Sequence, residues 1–148
     1  AELYDATSTG TFTVATPRLI NVSVLKTIGA GGSLTAGFFV GGTTAKTVLI
    51  RAIGPALGLE PFNIQGAMPD PQLTLFNSSQ AVIASNDDWG SDSQISATGS
   101  RVGAFAIANA TSKDAILLIT LVPGTSYTAQ VSPVGAGGTA IVEVYEVP

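Results

Sequence analysis

The sequence contains no cysteine and no histidine, and both absences narrow the functions open to it. Without cysteine there is neither a disulfide framework nor a thiolate site. Zinc centres of the usual Cys/His type cannot be built, and neither can Ser-His-Asp or Cys-His catalytic sets. No Walker or dinucleotide fingerprint is present either. We therefore expect no catalytic residues and no enzyme.

Charge is also scarce, since charged residues make up 11% of the chain against roughly 25% in average soluble domains. The six cations are scattered and the net charge is −4, so a nucleic-acid partner is excluded. The longest apolar run, residues 115–119, is far shorter than the roughly 18 residues of a membrane span. With 45% apolar residues and so little charge, the surface favours association with other proteins or with itself.

Short runs rich in β-branched and aromatic residues, separated by Gly, Pro and Asn turns, predict strands along most of the chain. The clearest runs are residues 19–24, 47–52, 72–76, 81–85, 115–121, 126–131 and 140–147. The run at 72–76 returns at 81–85 as a hairpin, and the run at 115–121 is apolar on both faces, as in a strand between two layers. Helix signals are confined to residues 92–101, with Asp92 or Ser93 as cap and Gly99 weakening them. About eight strands predict an all-β fold, a β-sandwich or jelly roll.

The two ends of the chain carry similar short segments. Residues 1–5 read apolar, Glu, apolar, Tyr, acid, and residues 142–146 repeat that order. A chance match is one explanation. The other is that two such strands compete for one position in a sheet, so that the surplus strand fills the equivalent position in a neighbouring copy. That candidate donor strand consists of Ala1, Glu2, Leu3, Tyr4 and Asp5, and it divides the chain into strand and linker, residues 1–17, and a sandwich domain, residues 18–148.

The sandwich region resembles a known family. Residues 70–76 (DPQLTLF), 82–89 (VIASNDDW), 123–132 (PGTSYTAQVS) and 141–145 (IVEVY) are similar to bacterial pre-peptidase C-terminal domains, jelly-roll modules appended to secreted enzymes and surface proteins. Residues 18–23, 36–42 and 48–55 look still more like uncharacterised exported tandem-repeat domains of Verrucomicrobia-like bacteria. The resemblance covers nearly the whole chain from Arg18 and implies export, a sandwich and no catalysis.

One acidic cluster is dense enough to suggest a metal. Asn86, Asp87 and Asp88, with Asp92 close by, offer oxygen ligands of the kind that Ca²⁺ prefers, and Asp70 is a further candidate. The spacing is not that of an EF-hand. An Asx-rich turn, whose side chains bond local backbone amides, explains the same residues. Calcium is thus the one cofactor that the sequence suggests.

Two further side chains stand out. Trp89, the one tryptophan, either stacks on a sugar ring, fills an interface or caps the sandwich core. Arg51 lies in an otherwise apolar run, on the face of Leu49 and opposite Ile50. A buried arginine needs a carboxylate partner, and we expect it among Asp87, Asp88 and Asp114.

Two functions fit these observations. The first is a structural subunit of an extracellular filament or surface array, a homopolymer joined head to tail by the donor strand. In tandem relatives a strand like residues 142–145 leads into the next repeat, and residues 1–5 precede Arg18 in the same way. The second is a secreted, non-catalytic accessory module that binds glycan or matrix through Trp89 and the acidic loop, with calcium.

Overall fold

The computed structural model describes residues 20–148, which form two antiparallel four-stranded sheets packed face to face. The strands are β1 (Asn21–Ile28), β2 (Leu34–Val40), β3 (Lys46–Ile53), β4 (Pro71–Asn77), β5 (Val82–Asn86), β6 (Ala115–Leu121), β7 (Thr125–Pro133) and β8 (Gly138–Glu146). The first sheet has the order β1-β8-β3-β6 and the second β2-β7-β4-β5. This is the order of an eight-stranded jelly roll, so the predicted all-β sandwich is confirmed. The candidate donor strand, residues 1–5, and its linker lie outside the described residues.

Alternation along the strands builds the core between the sheets, because successive side chains of a strand point to opposite faces. Val48, Ile50 and Ala52 of β3 point inward and share one buried cluster with Leu73 and Leu75 of β4. Burying one such side chain contributes about 1.5–3 kcal/mol. We call this cluster the inner layer. The hairpin predicted at residues 72–85 is present, as strands β4 and β5.

A second apolar cluster covers the outer face of the first sheet. Leu49 and Ile53, the alternate residues of β3, are packed there with Leu57, Trp89 and Tyr145. We call this cluster the outer layer. Its cover includes a short 3-10 helix, Pro55–Gly58, and one α-helix, α1 (Ser93–Val102). The first sheet is therefore apolar on both faces, which explains the apolar composition of β6.

The helix is longer than the turn or two that the sequence predicts. Asp92 caps it by accepting a hydrogen bond of 2.7 Å from the backbone N–H of Gln94, and Gly103 ends it in the left-handed region at φ 75°. Gly99 inside the helix costs about 1 kcal/mol relative to alanine. The cap and the packing of Ile95 and Val102 against the outer layer outweigh that cost. Within residues 20–148, no helix is both long and apolar enough to cross a bilayer.

Two glycines, Gly54 and Gly138, are required by close packing against Met68. The sequence predicts a flexible turn at residues 135–138, but a Cβ atom on Gly138 would lie 2.5 Å from the Cα atom of Met68. A Cβ atom on Gly54 would collide with the carbonyl oxygen of the same Met68. Both glycines are therefore required where the chain around Met68 crosses the end of the first sheet.

Candidate functional site

Strand β6 lies at an edge of the first sheet although its residues are those of an interior strand. Its sequence contains no charged residue, and within residues 20–148 it pairs with β3 alone. Both of its faces are covered, as the sequence predicts, but Leu117, Leu118 and Ile119 remain only half-buried. Val122, just beyond the strand, is 62% exposed. An apolar edge of this kind is a template for pairing with another chain.

The backbone groups that β6 presents to this edge follow from its pairing. The N–H of Ile116 donates to Oδ1 of Asn86 at 2.8 Å, so it points away from β3. In an antiparallel pair such outward positions recur every second residue, which gives Leu118 and Thr120 the same orientation. The inward positions, opposite Val48 and Ile50, are bonded to β3. Within residues 20–148 no backbone group bonds the outward N–H and C=O groups of Leu118 and Thr120, so these groups can pair with an added strand.

The other three edges are protected in ways that β6 is not. Edge strand β1 carries polar residues at alternate positions and the exposed Lys26. Strand β2 has Gly37 in its middle, and β5 is short with a register irregularity against β4 at Leu75 and Phe76. Charge, glycine, shortness and bulges all weaken an edge as a pairing template.

The sheet position between β1 and β3, which a neighbour's donor strand was expected to fill, is already occupied. Strand β8 contains residues 142–146 and pairs with β1 on one side and with β3 on the other. A strand of similar sequence from another copy would have to displace β8 or add to an edge. Because each copy fills that position itself, a donor strand that leaves β8 in place has to add to an edge, and its addition stays a prediction.

A buried ion pair lies under the outer layer. Arg51, 2% exposed, places Nε 3.4 Å from Oε2 of Glu143, which is its register partner on β8. The OH of Tyr145 donates to Oε1 of Glu143 at 3.0 Å, and the ring of Phe105 covers the guanidinium at 4.3 Å. Burial lowers the pKa of Arg51, and the charges of Glu143, Tyr145 and Asp114 oppose that shift. The arginine keeps its charge because guanidinium pKa values are so high.

The predicted partners of Arg51 are wrong. Asp87 and Asp88 are exposed on the loop after β5, and Asp114 binds elsewhere. The partner is Glu143, because the register of β3 against β8 sets the two side chains opposite each other. No local spacing could have shown this. The one indication in the sequence was Glu143 itself. A carboxylate in an apolar run that predicts a buried strand needs a cationic partner.

Asp114 is a buried capping residue. Its Oδ1 accepts hydrogen bonds from the backbone N–H groups of Gly54 at 2.8 Å and Ala56 at 3.4 Å, and its Oδ2 accepts one from the Ser112 hydroxyl at 2.6 Å. Its backbone carbonyl accepts the N–H of Trp89 at 2.8 Å. A fully buried carboxylate with these donors fixes the loop before β6 to the end of β3.

Trp89 belongs to the outer layer. Its ring is 7% exposed and packs in the same cluster as Leu49, Ile116 and Tyr145. A surface that stacks sugar rings or fills an interface needs an exposed ring, so the burial of Trp89 favours the core role, one of the alternatives that the sequence left open, over the ligand or interface role. The ring lines a cavity of about 100 Å³ beneath α1, together with Arg51 and Phe105. Among the described residues its Nε1 finds no hydrogen-bond acceptor.

The acidic loop is held by local hydrogen bonds. Asn86 donates through Nδ2 to the carbonyl of Asp88 at 3.0 Å and accepts the Ile116 N–H, while Asp92 caps α1. These are the bonds of an Asx-rich turn. Within the described residues no group of three or more carboxylate, His or Cys side chains is placed to hold a metal ion. Calcium at Asn86, Asp87, Asp88 and Asp92 stays a prediction.

Lys113, for which the sequence suggests no role, is a cation that interacts with the acidic residues of this region. Lys113 forms an ion pair with Asp70, and this hydrogen-bonded contact raises the pKa of Lys113. The charges of Asp70, Asp88 and Asp87 raise the pKa of Lys113 further. Asp70 thus carries its own ammonium partner, and its participation in a calcium site stays a prediction.

Comparison with known proteins agrees with the architecture. No family model matches the chain, and no curated protein matches it. Among solved structures it is similar to the pre-peptidase C-terminal domain of a collagenase from Bacillus anthracis, with a TM-score of 0.50 and 17% identity over 84% of this chain and 89% of that one. A family GH115 4-O-methyl-alpha-glucuronidase with specificity for decorated arabinogalactans matches at 21% identity and a TM-score of 0.37, over 84% of this chain and 14% of that one. The chain thus has the β-sandwich fold of pre-peptidase C-terminal domains.

Proposed function

We propose that this protein is a non-enzymatic structural subunit of an extracellular filament or surface assembly. Copies join head to tail when residues 1–5 of one copy add as a β-strand to the sandwich of the next. The observation that carries this proposal is β6, an edge strand with interior composition whose Leu118 and Thr120 offer backbone groups to a partner. Low charge and high apolar content support the same conclusion, because they favour association.

Strand addition suits both participants. Main-chain hydrogen bonds supply affinity, and alternate side chains fit the two faces of the acceptor edge. The linker, residues 6–17, is rich in Thr and Ser, and it reaches roughly 40 Å at about 3.5 Å per residue. That length allows the strand to leave its own sandwich and reach a neighbour. Export is supported by the sandwich fold of pre-peptidase C-terminal domains.

Deletion of residues 1–13 tests the proposal. The full chain should form filaments or large particles in negative-stain electron microscopy, whereas the shortened chain should stay a folded monomer by light scattering and circular dichroism. A synthetic peptide of residues 1–10 should shorten the polymers of the full chain by occupying acceptor edges. A peptide with Leu3→Asp is the matched control and should not, because a charge replaces the apolar contact.

Two results would remove the proposal. One is a full chain that remains monodisperse at every concentration at which extracellular fibres assemble. The other is a shortened chain that polymerises as well as the full one.

An accessory module that binds glycan or matrix is the alternative, and the sandwich fold shared with a collagenase domain favours it. Among the described residues, however, two side chains expected to bind such a ligand are already engaged. The ring of Trp89 is buried, and Asp70 is paired with Lys113. Isothermal titration against soluble polysaccharides and collagen peptides, with and without Ca²⁺, separates the two functions. Saturable binding by the shortened monomer would favour the module.

A further inference from the structure

The outer face of the second sheet, which we call the uncharged face, differs from the rest of the surface in its charge. Within residues 20–148, none of the four strands β2, β7, β4 and β5 contains a charged residue, whereas β1, β3 and β8 of the first sheet each contain at least one. The chain has a net charge of −4, and like charges set against each other oppose association. Two copies can therefore meet at this face without such repulsion.

Strand β2 gives the uncharged face a projection and a gap side by side. Phe39 points outward and is 64% exposed. Gly37, two residues earlier, shares that face because side chains alternate along a strand. A Cβ atom on Gly37 would have nothing within 4 Å, and its φ is not positive. Neither packing nor backbone conformation within this copy requires a glycine here, and a glycine inside a strand marks a place where another chain can approach closely.

The register of β2 against β7 makes the projection and the gap complementary between two copies. Phe39 lies opposite Ser126, and Gly37 lies opposite Thr128. When two copies are placed face to face about a two-fold axis that runs across the sheet at the level of Phe38, each Phe39 lies over the other copy's Gly37. The same axis sets Ser126 over Thr128, so that hydroxyl groups face each other. A two-fold contact of this kind uses the same surface on both copies.

We infer that the uncharged face pairs with the uncharged face of a second copy, with Phe39 of each copy seated over Gly37 of the other. The contact involves neither residues 1–5 nor β6, which belongs to the first sheet. It therefore goes beyond the proposed function and adds a second, lateral contact between copies.

The size of the face determines where this contact matters. Four strands of five to nine residues cover roughly 400 Å² per copy at the usual strand spacing and rise. Two such faces bury roughly 800 Å², less than the 1,200–2,000 Å² of a stable complex. Single copies thus pair weakly. A filament presents the same face many times, and linked contacts add up, so filaments should pair side by side.

Exchanging the projection and the gap tests this contact in the full chain. Gly37→Phe sets two rings against each other and Phe39→Gly leaves two gaps, so each change should abolish bundles in low-speed sedimentation and electron microscopy. The double variant moves the ring to position 37 and the gap to position 39, and it should restore bundles. Leu25→Ala removes a 53% exposed side chain from the first sheet and should leave bundles unchanged. Circular dichroism checks folding, and Phe39→Ala replaces Phe39→Gly if the latter unfolds.

Cross-linking measures the same contact without filaments, because the chain has no native cysteine. A concentrated equimolar mixture of full-length Ser126→Cys and Thr128→Cys, treated with a short bismaleimide, should give more dimer than either variant alone. Adding Gly37→Phe to both variants should remove the excess.

The two measurements separate this contact from strand addition. Excess cross-linking in a chain that forms no filaments would keep the inference and remove the proposed function. Filaments without bundles, or a mixture without excess dimer, would overturn the inference while filaments still support strand addition. Bundles that the single variants lose and the double variant does not restore would also overturn it, since the face would then bind another partner.

Discussion

The inner and outer layers cover opposite faces of the same sheet and are built differently. The inner layer consists of apolar side chains together with Tyr127, whose hydroxyl donates to the Val122 carbonyl at 3.2 Å. The outer layer surrounds Arg51, Glu143 and Asp114, all buried, and contains a cavity of about 100 Å³. The inner layer thus stabilises the sandwich chiefly through burial of apolar side chains, whereas the outer layer depends on polar partners in a defined register.

This difference teaches where specificity lies. A purely apolar layer accepts a strand shifted along its neighbour at modest cost if the same face stays buried, whereas a buried arginine must meet its carboxylate. Arg51 and Glu143 are opposite each other in the pairing of β3 with β8. We interpret the pair as the feature that holds β8 in register.

The largest effect should come from breaking that pair. Glu143→Ala leaves Arg51 buried without its partner and should lower the free energy of unfolding by about 4 kcal/mol. Chemical denaturation followed by circular dichroism measures the loss. If the variant loses less than about 1 kcal/mol, the outer layer is no more demanding of its partners than the inner one.

Replacing the ion pair and Tyr145 together by apolar residues shows whether the pair adds net stability. The triple variant Arg51→Met, Glu143→Leu and Tyr145→Phe removes both charges of the ion pair and the hydroxyl that donates to Glu143, at similar side-chain volume. Its stability should lie within about 1 kcal/mol of the parent or above it, because burying charges costs much of what their pairing returns. A triple variant as unstable as Glu143→Ala would mean that the pair contributes net stability.

Cavity formation compares the layers directly. Leu75 of the inner layer and Leu49 of the outer layer are both fully buried, but Leu49 lines the existing cavity. Leu75→Ala should cost about 3 kcal/mol, and Leu49→Ala less, because fewer contacts are lost where packing is already incomplete. Denaturation midpoints at equal slope decide the order. Equal costs would show that the cavity does not loosen the outer layer.

The sequence predicts the layers better than their contacts. Alternation at β3 correctly separates Ile50 from Leu49 and Arg51, because local geometry decides which face a side chain takes. Glu143, the partner of Arg51, lies in the last strand, and only the sheet order brings the two together. The edge position of β6 was equally hidden, since apolar residues on both faces reveal that the faces are covered and not how many strands lie beside it.

A smaller effect than that of the single core substitutions concerns alkaline pH and again separates the layers. Burial raises the pKa of Tyr145 to about 12, and the charge of Glu143 and the hydrogen bond to it act in the same direction. Because the folded-state pKa exceeds the ordinary value near 10, the contribution of Tyr145 to stability is complete below about pH 10 and is lost as pH rises towards 12.

Tyr145→Phe should cost about 1.5 kcal/mol at neutral pH through the lost hydrogen bond to Glu143. It should also remove part of the alkaline loss of stability, measured as the difference between denaturation midpoints at pH near 9 and near 11. Tyr127→Phe is the inner-layer control, and an equal reduction of the alkaline loss in that variant would contradict the assignment to Tyr145.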